Sequence, residues 1–159
     1  MNPKDFNKLK AVFEITDRYL EAGDCSALLY APLDDALTYR KTRRYTLDFE
    51  GDDSAATQFV SKTLLDEVGQ ELHQGEDAAL SDYLFAIDYG MKPGALDLEK
   101  EAVMNYYRNM EKSDFELNDL KIEQRVYVFG EGNTSPDRFV SDICNPAIHI
   151  WKVIDRRNQ

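Results

Sequence analysis

Hydrophobic positions recur along this chain with two different periods, and the changes of period mark its elements. From Asp5 to Ala22, Phe6, Leu9, Phe13 and Leu20 fall at helical spacing, Val12 and Tyr19 widen the stripe, and Gly23 stands where a C-terminal glycine would stop a helix. This spacing predicts an opening amphipathic helix. Ala27–Tyr30 is a short apolar run that Pro32 ends. Between Arg44 and Glu50 the period becomes two. Tyr45, Leu47 and Phe49 alternate with Thr46 and Asp48, as in a half-buried strand. Gly51-Asp52-Asp53-Ser54 reads as a turn that delivers a helix cap. A helix is expected from Ala55 to Gln74, with Phe59, Val60, Leu64, Leu65, Val68 and Leu72 on its inner face.

The second half carries the clearer grammar. Tyr83–Tyr89 reads as an apolar strand, and Met91-Lys92-Pro93-Gly94 turns the chain. Asp97 caps a helix whose buried stripe is Val103, Met104, Tyr107 and Met110. Leu120–Phe129 alternates again, with Ile122, Val126 and Val128 on one face. Gly130–Asn133 is a loop, Ser135 or Thr134 caps the next helix, and Pro136 fits its first position. Asn145-Pro146 stops that helix before a last strand, Ile148–Ile154. Strand, turn, capped helix, long strand, helix, strand is the order of a ferredoxin-like βαββαβ unit if the long strand stands for two.

The first half can be read as a second copy. Phe59-Val60-Ser61 recurs 80 residues on as Phe139-Val140-Ser141, and at the same shift Leu37 falls on Leu117 and Phe49 on Phe129. The expectation is therefore an α+β protein of duplicated ferredoxin-like units: residues 1–76 a degenerate N-terminal half, residues 77–159 the more regular one, and Gly75-Glu76-Asp77 the connector. A βαββαβ sheet has one bare face. Two such antiparallel sheets could pack bare face to bare face, with helices on the outer faces, in one body.

Composition narrows the function. The chain has 159 residues and is 43% hydrophobic, enough for a real core. No apolar run approaches the ~20 residues that span a bilayer, and Met1-Asn2-Pro3-Lys4-Asp5 lacks an apolar leader. A cytoplasmic protein without membrane contact is expected. The net charge of −11 disfavours direct binding to a nucleic-acid backbone. The one basic run, Arg40-Lys41-Thr42-Arg43-Arg44, is either a solvated strand entry or a docking patch for an acidic partner.

Candidate chemistry is sparse. Cys25 and Cys144 are far apart and outside any Cys-x-x-Cys motif, so buried thiols are expected. Gly90-Met91-Lys92-Pro93-Gly94 lacks the spacing and the Lys-Ser/Thr ending of a phosphate loop. Gly130-Glu131-Gly132 lies between strand and helix, but Glu131 repels an anion. His73 and His149 have no ligand partner at metal spacing. Asp34-Asp35 and Asp52-Asp53 serve as turn and cap residues more cheaply than as cation ligands. An accessory protein without catalytic residues, metal or cofactor is expected.

One resemblance sharpens this. Ala86-Ile87-Asp88-Tyr89, then Pro93-Gly94-Ala95-Leu96-Asp97, then Asn145-Pro146-Ala147-Ile148 follow the opening strand, helix start and Asn-Pro ending of a known family. Over Asp82 to Asp155 the chain resembles the small subunit of phosphoribosylformylglycinamidine synthase, often called PurS. The resemblance implies a ferredoxin-like fold and a non-catalytic subunit of purine biosynthesis. Such a subunit bridges the glutamine-hydrolysing and ATP-dependent synthetase subunits, and it can self-associate. The partner-binding residues expected are Arg40, Lys41, Arg43 and Arg44, with Lys92 and Asp97 in one loop and Gly132 and Asn133 in another. The competing expectation is an acidic inhibitor or nucleic-acid mimic that binds a basic partner. An apolar, self-complementary edge would favour the assembly subunit, and carboxylates clustered on one face would favour the mimic.

Overall fold

Two long strands lie side by side at the centre of the fold. Strand β3 (Thr38–Gly51) pairs antiparallel with β6 (Phe115–Phe129), from Thr38 opposite Phe129 to Gly51 opposite Phe115, with one register shift at Asp48/Phe49. The computed structural model that shows this describes residues 8–111 and 114–158. On one side of this pair lie β1 (Lys8–Asp17), β4 (Gln70–Gln74) and the short β2 (Gly23–Asp24). On the other lie β5 (Phe85–Met91) and β7 (His149–Asp155). All pair antiparallel in one seven-stranded sheet of order β4-β1-β3-β6-β5-β7, with β2 beside β3.

The order reads alike from both edges. β3 and β4 both run antiparallel to β1, which lies between them, and are joined by α1 (Asp53–Thr63). β6 and β7 both run antiparallel to β5, which lies between them, and are joined by α3 (Pro136–Ile143). Each half is a split βαβ. The third helix, α2 (Leu98–Asn109), connects β5 to β6. The second half has three strands where a βαββαβ unit has four, because the long strand expected to stand for two is one continuous strand.

One face of the sheet carries all three helices. Phe13 and Ile15 of β1, Tyr45, Leu47 and Phe49 of β3, and Leu120 and Ile122 of β6 pack against Phe59 and Val60 of α1 and Val103 and Met104 of α2. Further along the same face, Phe85 and Ile87 of β5 and Val126 and Val128 of β6 pack against Phe139 and Val140 of α3, with Cys25, Leu37 and Cys144. The expected pair of sheets stacked through their bare faces is thus replaced by two half-sheets joined edge to edge. Joining them along β3 and β6 removes two open edges at once.

The cause of the other departures is local. The predicted opening helix is β1, and its Asp5–Asn7 part lies outside the described residues. Leu9, Phe13 and Val12 share helical spacing, but Ala11, Phe13 and Ile15 also share a strand face, while Val12, Glu14 and Thr16 share the other. All of Val12 to Thr16 is buried, because β1 is an interior strand covered on both sides. Its Val and Ile suit that position. The helix predicted to Gln74 stops at Thr63 with Leu64 as its C-cap. Beyond it, Gln70–Gln74 forms β4, and Leu72 faces the core opposite Ile15. Asp52, Asp97 and Ser135 cap the three helices by accepting from the backbone N–H of Ser54, Lys100 and Asp137. Among the described residues no helix is long and apolar enough to cross a membrane.

Candidate interaction surface

A cluster of polar side chains lies inside the molecule. Glu14, Thr42, Asp88, Arg125 and Tyr127 are buried on the sheet face away from the helices. The segment between β4 and β5 crosses that face as a lid. Ala79 N donates to Glu14 Oε1 at 3.2 Å, and Tyr83 packs edge-on against Tyr127. Arg125 clamps Asp88 through Nε–Oδ1 at 2.5 Å and Nη2–Oδ2 at 2.7 Å, and reaches Glu14 through Nη1 at 3.0 Å. Thr42 and Tyr127 donate their hydroxyls to Glu14 Oε2, and Arg44 adds a second cation 3.5 Å from Asp88. Burial alone would lower the Arg125 pKa, but the bonds to Asp88 more than offset it and raise it. Burial and the hydrogen bond to Glu14 push the Tyr127 phenol well above its ordinary value.

Glu14 accepts four hydrogen bonds, and both Asp88 oxygens are taken. Every oxygen of the two carboxylates is engaged, and the segment carrying Ala79 and Tyr83 covers them. The cluster is a structural lock that ties β1 of one half to β5 and β6 of the other. Sequence reasoning passed over Glu14, Asp88 and Arg125. Glu14 and Asp88 each stand as a single charge inside an apolar stretch, whereas Arg125 follows Lys121, Glu123 and Gln124 and carries no such signal.

The basic run does not form a patch, because a strand sends alternate residues to opposite faces. Arg40 and Arg44 lie on the lid side. Arg40 Nη2 donates to the Asp17 carbonyl at 3.1 Å, and Arg44 serves the buried lock. Lys41 and Arg43 lie on the helix side. Arg43 is ion-paired with Glu99 at the start of α2, and its Nε is buried without a hydrogen-bond partner. Lys41 alone is exposed, over the Tyr39 ring. Nor do the two loops meet. Lys92 and Asp97 follow β5, whereas Gly132 and Asn133 lie beyond the other end of that strand, where Val128 faces Phe85. Asp97 is used in capping α2. The Gly132 carbonyl accepts from Arg157, and Asp35 fills the space beside Gly132 while bonding Thr134. Of the expected surface, Arg43 comes near the β5–α2 turn through Glu99, while the Gly132-Asn133 loop lies at the opposite end of β5.

The β5–α2 turn does border an open surface, and edge strand β7 is its other half. Ile150 and Trp151 are each 42% exposed, Ile148 is 39% exposed, and Leu96 and Leu98 protrude from the turn. Lys92 N donates to the Ile148 carbonyl at 2.8 Å, which fixes turn to strand. Two depressions flank this turn. One of about 210 Å³ is lined by Tyr89, Glu99, Gln124 and His149, and one of about 360 Å³ by Lys92, Asp97, Lys121 and Ile150. Gly90 lets β5 approach β6 here, since a Cβ would meet the Ile122 carbonyl oxygen at 2.8 Å.

The ladder shows which backbone groups remain open. Arg156 N bonds Leu84 O and Lys92 N bonds Ile148 O, so the even-numbered residues of β7 face β5. Trp151, Val153 and Asp155 then turn their N–H and C=O outward. His149 is partly occupied, since its N–H bonds the Asn145 carbonyl and its Nδ1 accepts from Asn145 N. The opposite edge, β4, is shorter and better closed. Gln70 N bonds Asp66 O, and Gln70 O accepts from Arg18.

At the far end of the lid face, acids stand opposite acids. Asp48 pairs with Asp119 and Glu50 with Glu116 across β3 and β6, although Asp119 is held by Lys100 of α2 at 2.9 Å. Lys10, 3.9 Å from Asp48, borders the same depression of about 560 Å³. No family model, no curated protein and no solved structure matches the chain.

Proposed function

We propose that this chain is a non-catalytic interaction protein that engages its partner through the edge of β7 and the adjoining β5–α2 turn. The observation that carries this reading is the open backbone of Trp151, Val153 and Asp155 beside exposed Ile148, Ile150, Trp151 and Leu98. An edge of this kind accepts an extended segment. Its backbone supplies affinity, and alternate side chains supply selectivity. The buried ionisable groups are consumed by one another, so they support the fold rather than a reaction. Bridging an amidotransferase and a synthetase in purine biosynthesis, the role implied by the PurS resemblance, is one form of this function. It rests on that resemblance.

We read the halves as descendants of one duplicated unit. Phe59 and Phe139 occupy corresponding places on α1 and α3, and the C-caps Leu64 and Cys144 bond to Val60 and Val140 in the same way. The other two matches do not support the reading. Phe49 faces the helices while Phe129 stacks on Tyr127 on the lid side, and Leu37 and Leu117 lie in different clusters.

A second reading, an acidic mimic, is favoured by the opposed pair Glu50–Glu116. Directly opposed like charges cost stability that a basic partner would return. Photo-reactive residues placed singly at Ile150 and at Glu116 separate the two. Cross-links from Ile150, to glutamine-dependent synthase subunits or to another protein, support the edge reading. Cross-links confined to Glu116 and a nucleic-acid-binding protein support the mimic. Silence at both positions contradicts both.

A further inference from the structure

We propose that β7 is a self-pairing edge: two copies of this chain join antiparallel along His149–Asp155 and continue the sheet across a two-fold axis at Lys152. The inference rests on the reading of β7 as the working edge and names its occupant. The segment His149-Ile150-Trp151-Lys152-Val153-Ile154-Asp155 is a near-palindrome in chemistry about Lys152. Pairing centred there sets Ile150 against Ile154 of the other copy, Trp151 against Val153, and His149 against Asp155. Each of these contacts occurs twice, apolar against apolar and base against acid.

The backbone agrees with that register. Trp151 and Val153 both point their N–H and C=O away from β5, so they can exchange a full pair of hydrogen bonds with each other's copies. The Asp155 N–H can reach the His149 carbonyl, which is free, while the His149 N–H is not needed. Shifting the register by two residues spoils it. One direction sets Lys152 against Ile150, and the other sets Trp151 against Asp155.

Charge also permits the contact. In a chain of net charge −11, this edge and its sequel carry Lys152, Arg156 and Arg157 against Asp155 alone. The unfavourable feature is Lys152 facing its own copy at the axis. It keeps the dimer modest and provides the lever for testing it. A two-fold pairing of this kind closes on itself and uses up the edge.

Sedimentation velocity of the full chain from about 1 to several hundred micromolar tests the proposal. A monomer–dimer equilibrium is expected. Val153→Pro removes the outward N–H and also trims a half-buried side chain packed on the α3 cluster, so it should weaken the dimer at least tenfold while circular dichroism holds and the urea midpoint falls only modestly. Lys152→Thr should tighten it severalfold. A chain that stays monomeric throughout, a V153P chain that dimerises as well as the parent, or a K152T chain with unchanged affinity would each overturn the self-pairing. If the chain stays monomeric yet the Ile150 probe cross-links another protein, only the self-pairing fails. If it stays monomeric and Ile150 is silent, the edge reading fails with it.

Discussion

Arg125 and Asp88 stand directly opposite each other on β6 and β5, and their side chains close a two-bond ion pair, 2.5 and 2.7 Å, with almost no exposure to water. A pair this buried gains little over well-packed apolar residues, because desolvation offsets the attraction, but breaking it leaves charges stranded. Here the guanidinium also serves Glu14, so one cation satisfies a carboxylate from each half.

Removing that cation leaves Glu14 without a cation and Asp88 with Arg44 alone. Arg125→Leu is expected to cost about 3–5 kcal/mol in urea denaturation, while Lys41→Leu, on the same sheet but exposed, stays within about 0.5 kcal/mol. Equal effects at the two positions would contradict the lock.

The two aromatic residues that α1 and α3 turn toward the sheet should behave alike. Phe59 is 5% exposed and Phe139 fully buried, each in its own cluster. Truncation of either to Ala should cost about 3–5 kcal/mol, measured by chemical denaturation. A near-neutral result at either position would mean that its half of the core does not depend on that ring.

Alkaline pH should loosen the fold. Burial raises the Tyr45 phenol from its ordinary 10.0 to about 12 and the Cys25 thiol from 9.0 to about 12, and Tyr127 also rises. A raised folded-state pKa means that the folded chain holds its proton longer than the unfolded one. The stabilisation is therefore complete below about pH 9 and falls as pH climbs from there through about 12. Urea midpoints across this range should decline, and Tyr45→Phe should make the decline shallower above pH 10. Midpoints that stay flat to pH 12 would contradict the burial of these groups.

The second half of the chain was legible where local signals agreed. Asp97 and Ser135 cap helices as read, Pro136 opens α3, and Ile122, Val126 and Val128 share the helix face of β6. The first half was not, because β1 is buried on both faces and so loses the alternation that marks a strand. Its apolar run imitates a helix. Gln70–Gln74 became a strand through its pairing with β1, a long-range contact that no local window contains. The basic run misled for a related reason: neighbours in sequence become residents of opposite faces in a strand. The proposed edge was partly visible, in Lys92, Asp97 and the stretch Ile148–Ile154. Its openness depends on which strand ends the sheet, and that is a matter of topology.

Residue-resolved amide hydrogen exchange tests the central claim, that β7 is the surface through which this chain works. In dilute isolated protein, Lys152 and Ile154, bonded to β5, should be protected, while Trp151 and Val153 should exchange rapidly. At several hundred micromolar, or with the cross-linked partner added, Trp151 and Val153 should become protected, and Leu72 and Gln74 on the opposite edge should not change. Protection that never appears at Trp151 and Val153, or that appears instead around Glu50 and Glu116, would contradict it.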